Sequence, residues 1–297
     1  MKIVKKLKKR YTEFKRHPVT SYFPIGAIYR YVYFNVKVLF LKECNYDWIN
    51  GLKFIARKGD AGIVSNIYHG LYEFEDSIFL LHYTKSSDVF FDIGANLGHY
   101  SLILSGSKNC LSYSFEPVPE TFSQLKKQVL HNKLHDKISI FNLGFSNQTG
   151  FLYFSTDKGV MNHIVSYQEE KSIQIPVTTL DDWCKTVQPT IMKIDVEGFE
   201  KFVIEGGIQT IKNTNLKVIL IEFNKSGKKY GVTDEEVYQR LLDFGFSPYA
   251  YSYQTKELLL LEKYNLNRFN TLMVRDLAFV EKQLLSDYRV KIFSKWY

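Results

Sequence analysis

Asp88-Val89-Phe90-Phe91-Asp92-Ile93-Gly94-Ala95-Asn96-Leu97-Gly98-His99-Tyr100-Ser101 reads as an apolar strand, a turn with two glycines and the first turn of a helix. In an open α/β sheet that junction lies at the carboxyl end of a strand, where ligands bind. Gly94 and Gly98 carry no side chain, so backbone can turn and approach a ligand closely there. The helix start beyond them offers free N–H groups and a partial positive charge.

The spacing Gly-x-x-x-Gly is neither the dinucleotide fingerprint G-x-G-x-x-G nor a phosphate loop ending in Lys-Ser/Thr. Asp92, two residues before the first glycine, would repel a pyrophosphate but suits a ligand with a cationic end. S-adenosylmethionine (SAM), with its sulfonium and ammonium groups, is such a ligand. A plain βα turn with a structural Asp is the other reading.

Downstream, strands and helices alternate, which predicts a parallel sheet with right-handed crossovers. The expected strands are 88–93, 111–116, 137–142, 190–195 and 217–223, and the expected helices 97–106, 119–131, 179–185 and 199–212. A β-rich excursion is expected over 150–177. Thr233-Asp234-Glu235-Glu236 opens a further helix that Gly245 closes. Strand-like stretches 248–253, 258–261 and 270–275, with no long helix between them, predict an antiparallel hairpin at the sheet edge. Upstream, 51–69 reads as a short β excursion and 71–81 as a helix with acids in its first turn. The division expected is an N-terminal extension over 1–50, the main domain over 51–275 and a C-terminal helical extension over 276–297.

Each expected parallel strand ends in a polar residue: Asp92, Glu116, Asn142, Asp195 and Glu222. Glu116 follows Asp92 on the next strand tip, where a carboxylate can accept both ribose hydroxyls of a nucleoside. That role would serve a nicotinamide dinucleotide as well, so an oxidoreductase is a rival reading, weakened by the missing glycine fingerprint.

The segments Phe91–Gly98, Phe115-Glu116-Pro117, Asn142-Leu143-Gly144-Phe145-Ser146, Thr179-Leu180-Asp181-Asp182 and Lys193-Ile194-Asp195-Val196-Glu197-Gly198-Phe199-Glu200 resemble, in order, the FkbM family of SAM-dependent methyltransferases. The resemblance covers about residues 66–225. It implies the class I methyltransferase fold, a Rossmann-like, doubly wound, mostly parallel seven-stranded sheet, with SAM as cofactor. The acceptor it implies is a hydroxyl, often on a sugar or polyketide. Asn96 stands where many other methyltransferases have a glycine, and within the FkbM pattern Asn is expected.

By position, the resemblance puts Asp92, Gly94, Ala95, Asn96 and Gly98 at the methionine end of SAM and Glu116, with Pro117 beside it, at the ribose. Asn142, Leu143 and Gly144 would border the adenine, and Tyr72 and Glu73 would close over the methionine part. Methyl transfer to a hydroxyl also needs a proton acceptor. The catalytic candidates are Asp195, Glu197 and His163, the last in the excursion and with a pKa suited to a base. Glu197 could instead cap the helix at 199–212, and His163 could be an ordinary loop histidine. Asp195, Glu197 and Glu222 could hold a divalent cation, but no ligand spacing demands one and none is assigned.

Composition sets the remaining bounds. Three cysteines without C-x-x-C spacing argue against a disulfide framework or zinc site and agree with a reducing cytoplasm. The net charge of +8 is concentrated in residues 1–16, where eight Lys/Arg face one acid for a net of +7. A basic tail of this kind does not make the folded part a nucleic-acid binder, and no nucleic-acid partner is expected. No long apolar run follows it, so neither a secretory signal nor a membrane span is expected. Residues 1–41, basic and then aromatic, either pack on the domain or lie on an anionic membrane. The combined expectation is a cytoplasmic enzyme, free or peripheral to a membrane, that methylates a sugar in a glycan or glycan precursor. A non-enzymatic adaptor working through residues 1–41 is the remaining alternative.

Overall fold

The computed structural model describes residues 2–155, 164–165 and 172–297. Its centre is an eight-stranded sheet in the order Glu257–Leu260, Ser247–Ser252, Asn270–Val274, Val218–Glu222, Ile191–Ile194, Val89–Ile93, Leu111–Phe115, Ile138–Phe141. The last five of these are parallel neighbours. Asn270–Val274 runs antiparallel to Val218–Glu222, and Ser247–Ser252 antiparallel to Asn270–Val274 in turn. Those seven strands have the expected class I arrangement. The eighth, Glu257–Leu260, is the outer arm of the edge hairpin.

The sheet is covered on both faces, because its strands are apolar on both. One face packs Phe90, Leu220 and Leu272 against helices Phe74–Tyr83, His99–Lys108 and Leu277–Leu284. The other packs Phe91, Ile194 and Ile219 against helices Glu200–Glu205 and Asp234–Asp243. The predicted helix at 199–212 is in fact two, Glu200–Glu205 and Ile208–Lys212, parted at Gly206-Gly207. A Cβ at Gly206 would lie 2.0 Å from the Ser146 carbonyl oxygen, so the chain bends where only glycine fits. Helix Asp234–Asp243 opens with a full capping box between Thr233 and Glu236.

The excursion forms a separate four-stranded sheet from Gly144–Phe145, Gly150–Ser155, Ile164–Val165 and Ser172–Thr178. The stretch 51–69 departs from the β reading. Strand Lys53–Ala56 pairs with Cys44–Asp47, but Ala61–His69 is a helix, which buries Ile63, Val64, Ile67 and Tyr68 at helical spacing. Residues 276–297 hold one helix, Leu277–Leu284, and then a short hairpin of Lys291–Ile292 and Lys295–Trp296. No helix among the described residues is long and apolar enough to cross a membrane.

The small N-terminal hairpin is tied to helix Pro119–His131 by two amide side chains one turn apart. The buried Gln128 donates to the Ile55 carbonyl (2.6 Å) and accepts the Ile55 N–H (2.9 Å). Asn132 does the same for Lys53 (2.8 and 2.7 Å), so the helix imitates a neighbouring strand. Replacing Gln128 with Ala leaves a part-buried N–H and C=O unmet. The Gln128→Ala variant should lose about 1–3 kcal/mol of stability in urea titration, and an unchanged midpoint refutes the tie.

Candidate active site

The strand order reverses between Val89–Ile93 and Ile191–Ile194, since successive strands leave the first toward one edge and the second toward the other. Ligand crevices in open α/β sheets form at such points. Here the two strand ends nearly touch: a Cβ on Gly94, whose φ is +78°, would lie 1.8 Å from the Asp195 carbonyl oxygen. Only glycine can hold that position.

An open cleft of about 840 Å³ lies over this junction. Gly94, Asn96, Glu116, Gly144, Asp195 and Glu197 line it, as does Pro117. Phe145, Ile175 and Val177 give it an apolar wall. Glu116 is buried and accepts the N–H groups of Asn96 (2.9 Å) and Val118 (3.0 Å), one on each carboxyl oxygen. Each oxygen keeps a lone pair for a ligand hydroxyl. Burial pushes the Glu116 carboxyl up to about 7, against the pull of those two N–H bonds.

Asp92 does not line the cleft. On the alternating strand its side chain turns to the opposite face from Phe91 and Ile93, and it is 1% exposed. There it accepts the Ser101 hydroxyl at 2.6 Å, and in register it sits between Ser114 and Lys193 of the neighbouring strands. Its other oxygen is buried without a hydrogen-bond partner.

Lys193 is the residue that sequence reasoning passed over. It is 5% exposed, and its ammonium donates to Asp195 at 2.8 Å. Burial pulls its pKa down, but Asp195, Asp92 and Glu73 outweigh that and hold it above the ordinary lysine value. Glu73, in a left-handed conformation at φ 45°, accepts the Tyr100 hydroxyl at 2.5 Å. A lysine inside the apolar run Ile191-Met192-Lys193-Ile194 was the available signal.

Asp195, Glu197 and Glu222 bring carboxyl oxygens within 4.8 Å of one another. Such a trio could chelate a cation, although the Lys193 ammonium already faces Asp195. Burial, then Asp195 with its hydrogen bond, and Glu197 push the Glu222 carboxyl up to about 10. Glu197 is not the helix cap. Glu200 accepts the N–H groups of Val196 (3.2 Å) and Gly198 (3.1 Å), fixing the turn and leaving Glu197 at the cleft.

The remaining candidates lie around this centre. Asn142 donates to the Glu116 and Pro117 carbonyls, both at 2.9 Å, so it shapes the cleft from behind. Ala95 and Leu143 pack into the apolar interior, and Gly98 lies against Leu125 where a Cβ would not fit. Tyr72 and Glu73 line a second open groove, with Arg16, His17 and Arg268. His163 lies outside the described residues.

The FkbM methyltransferase domain model matches residues 92–248, more than half of the chain. The chain belongs to the FkbM methyltransferase family. Membership implies SAM as methyl donor and sets aside the oxidoreductase reading. A curated relative, the hexuronic acid methyltransferase AglP of Haloferax volcanii, is 26% identical over 145 residues, 48% of this chain and 59% of that protein. The chain thus spans less than two thirds of that relative's length. Among solved structures, a Pyrococcus furiosus methyltransferase matches with 12% identity and a TM-score of 0.41, covering 82% of this chain and 94% of that one. A precorrin-6y methyltransferase of Geobacter metallireducens matches with 12% identity and a TM-score of 0.39, over 68% and 86% of the two chains.

The Glu222 carboxyl gives a test with a definite sign. Between its ordinary 4.5 and about 10, the native state keeps a proton that the unfolded chain has released. Stability therefore falls as pH rises through that window. Glu222→Gln, a neutral mimic of the protonated acid, should show a smaller drop in urea midpoint from about pH 7 to about pH 9 than the parent; equal drops would contradict the assignment.

Proposed function

We propose that this protein is a SAM-dependent O-methyltransferase acting on a sugar hydroxyl of a glycan or glycan precursor. The observation that carries the reading is that Glu116 and Asp195 line one cleft over the bare backbone of Gly94. The cleft fits the donor on three counts: a buried carboxylate for ribose hydroxyls, an apolar wall for the adenine, and acids for a cationic end. When bound, SAM supplies an electrophilic methyl group on sulfur.

The chain's own residues would then do the following. Glu116 grips the ribose, with Asn96 and Val118 holding its carboxylate in place. Asp195, anchored by Lys193, takes the proton of the attacking hydroxyl. Glu222 lends Asp195 a hydrogen bond, and Glu197 stands beside the acceptor. The Asp92 carboxylate acts from behind, as one of the counter-charges of Lys193. The groove at Tyr72 and Glu73 is the open approach for the acceptor. That AglP is named a hexuronic acid methyltransferase favours a sugar over other hydroxyl acceptors. The reading places the reaction in the cytoplasm, at or near a membrane surface.

Calorimetry with S-adenosylhomocysteine separates the roles. The parent should bind it, Glu116→Gln should bind at least about tenfold more weakly, and Asp195→Asn should bind within about threefold of the parent. Mass spectrometry of glycans from cells carrying Asp195→Asn should show methylation cut by about 10²-fold or more. A parent protein that binds neither SAM nor S-adenosylhomocysteine overturns the proposal.

A further inference from the structure

Helix Pro24–Phe40 is apolar on both sides. Its inward side buries Ala27, Tyr31 and Phe34 in one cluster with Ile63, Val64, Ile67 and Tyr68 of helix Ala61–His69. Its outward side carries Ile25, Tyr29, Val32, Tyr33, Val36 and Phe40 at one-face helical spacing, all exposed, with Tyr29 at 68% and Phe40 at 82%. A helix apolar all round is expected to be covered all round. Lys37 reaches this face, its ammonium 5.8 Å from the Tyr33 ring centre, and the other non-aromatic polar side chains of the helix are bonded to backbone. Arg30 turns inward to the carbonyls of Ile67 (3.0 Å) and Tyr68 (2.9 Å), and Asn35 donates back to Tyr31 at 2.8 Å.

A distant part of the chain extends the same surface. In the C-terminal hairpin, the Phe293 ring lies 4.1 Å from the Arg30 guanidinium carbon, and the Lys295 ammonium sits 2.9 Å from the Tyr22 ring centre. Next to them Trp296 is 63% exposed. Cations flank the patch. Helix Lys2–Arg16 runs against Tyr31 through Lys6 and Arg10, at 5.8 and 5.5 Å from the ring centre. Among the described residues Lys5, Lys8 and Lys15 of this helix are exposed and form no ion pair; its one acid, Glu13, is met by Arg10 at 2.7 Å and lies 3.4 Å from His69.

We infer that this face, the outward side of Pro24–Phe40 with the C-terminal hairpin and the basic helix beside it, docks on an anionic lipid bilayer. Aliphatic and aromatic side chains would enter the headgroup region while the lysines meet lipid phosphates, the division of labour of an interfacial helix. Tyr and Trp beside Lys is the composition that suits the membrane–water boundary. Charge complementarity selects this occupant: a nucleic acid would not bury Ile25, Val36 and Phe40, and a second copy would bring a like-charged basic helix against its own. The docking needs neither methyl donor nor acceptor, so it stands or falls apart from the proposed reaction.

Cosedimentation of the full chain with vesicles decides it, using phosphatidylcholine alone and phosphatidylcholine mixed with phosphatidylglycerol. Binding should be at least about tenfold stronger to the mixed vesicles and should weaken steeply as salt shortens the screening length. A Tyr29→Ser/Val36→Ser/Phe40→Ser variant and a Lys5→Glu/Lys8→Glu variant should each lose about tenfold or more. Both should unfold thermally at or above the parent's midpoint, which excludes misfolding as the cause. Equal binding to both vesicle types, binding to neither, variants that bind like the parent, or self-association that the Tyr29→Ser/Val36→Ser/Phe40→Ser change abolishes would each overturn the inference.

Discussion

The buried ammonium of Lys193 is the constraint on which the site depends. A lysine sealed in a sheet costs several kcal/mol unless acids meet it. Here Asp195 meets it directly, while Asp92 and Glu73 act on it through space. The same attraction works in reverse on Asp92 and Glu73, whose own burial favours the neutral form. Each group therefore makes the others tolerable, and removing one leaves like charges or an unmatched cation in a dry interior. The geometry of Asp195, the residue nearest the proposed chemistry, is thus inherited from the sheet itself: Lys193 and Asp92 are register partners on adjacent parallel strands.

This arrangement also explains why so many acids can share one place. Asp195, Glu197 and Glu222 lie close enough to repel, and the repulsion is met in two ways. Lys193 supplies a positive charge against Asp195, and Glu222 keeps its proton and turns repulsion into a hydrogen bond. A cleft built so presents negative charge to a ligand without dissolving the strand ends that carry it. That is the electrostatic character a sulfonium ligand requires, and it would be wasted on a pyrophosphate.

The sequence made the central junction readable because polar residues, mostly acids, end successive expected strands beside a glycine turn. Gly94, Glu116 and Asp195 were singled out this way, and the fold brings all three to the lining of one cleft. The burial of Asp92 was not legible because a strand alternates its side chains, and whether its penultimate residue faces a cleft or the interior depends on a register that one strand cannot reveal. Lys193 was missed for the same reason, since its partner Asp92 stands on the neighbouring strand, about a hundred residues away in the chain. The helix at Ala61–His69 was hidden by Gly59 and Gly62, which read as turn signals, although Ile63, Val64, Ile67 and Tyr68 carry a helical period. Glu200 was out of reach altogether. Its reach back to Val196 and Gly198 requires left-handed backbone at both Glu197 (φ 55°) and Gly198 (φ 97°), and a non-glycine residue is seldom expected there.

The N-terminal helices belong to the same argument and are more than an appendage. Arg16 and His17, at the end of the basic helix, line the groove that Tyr72 and Glu73 also line. Glu73 is in turn one of the charges that hold Lys193. A surface that fixes the orientation of the basic helix therefore fixes the direction in which that groove opens. The helix is anchored by Phe14, which is fully buried beside His69. In the proposed docking, the surface that holds the outward face would also set the direction in which the groove at Tyr72 and Glu73 opens.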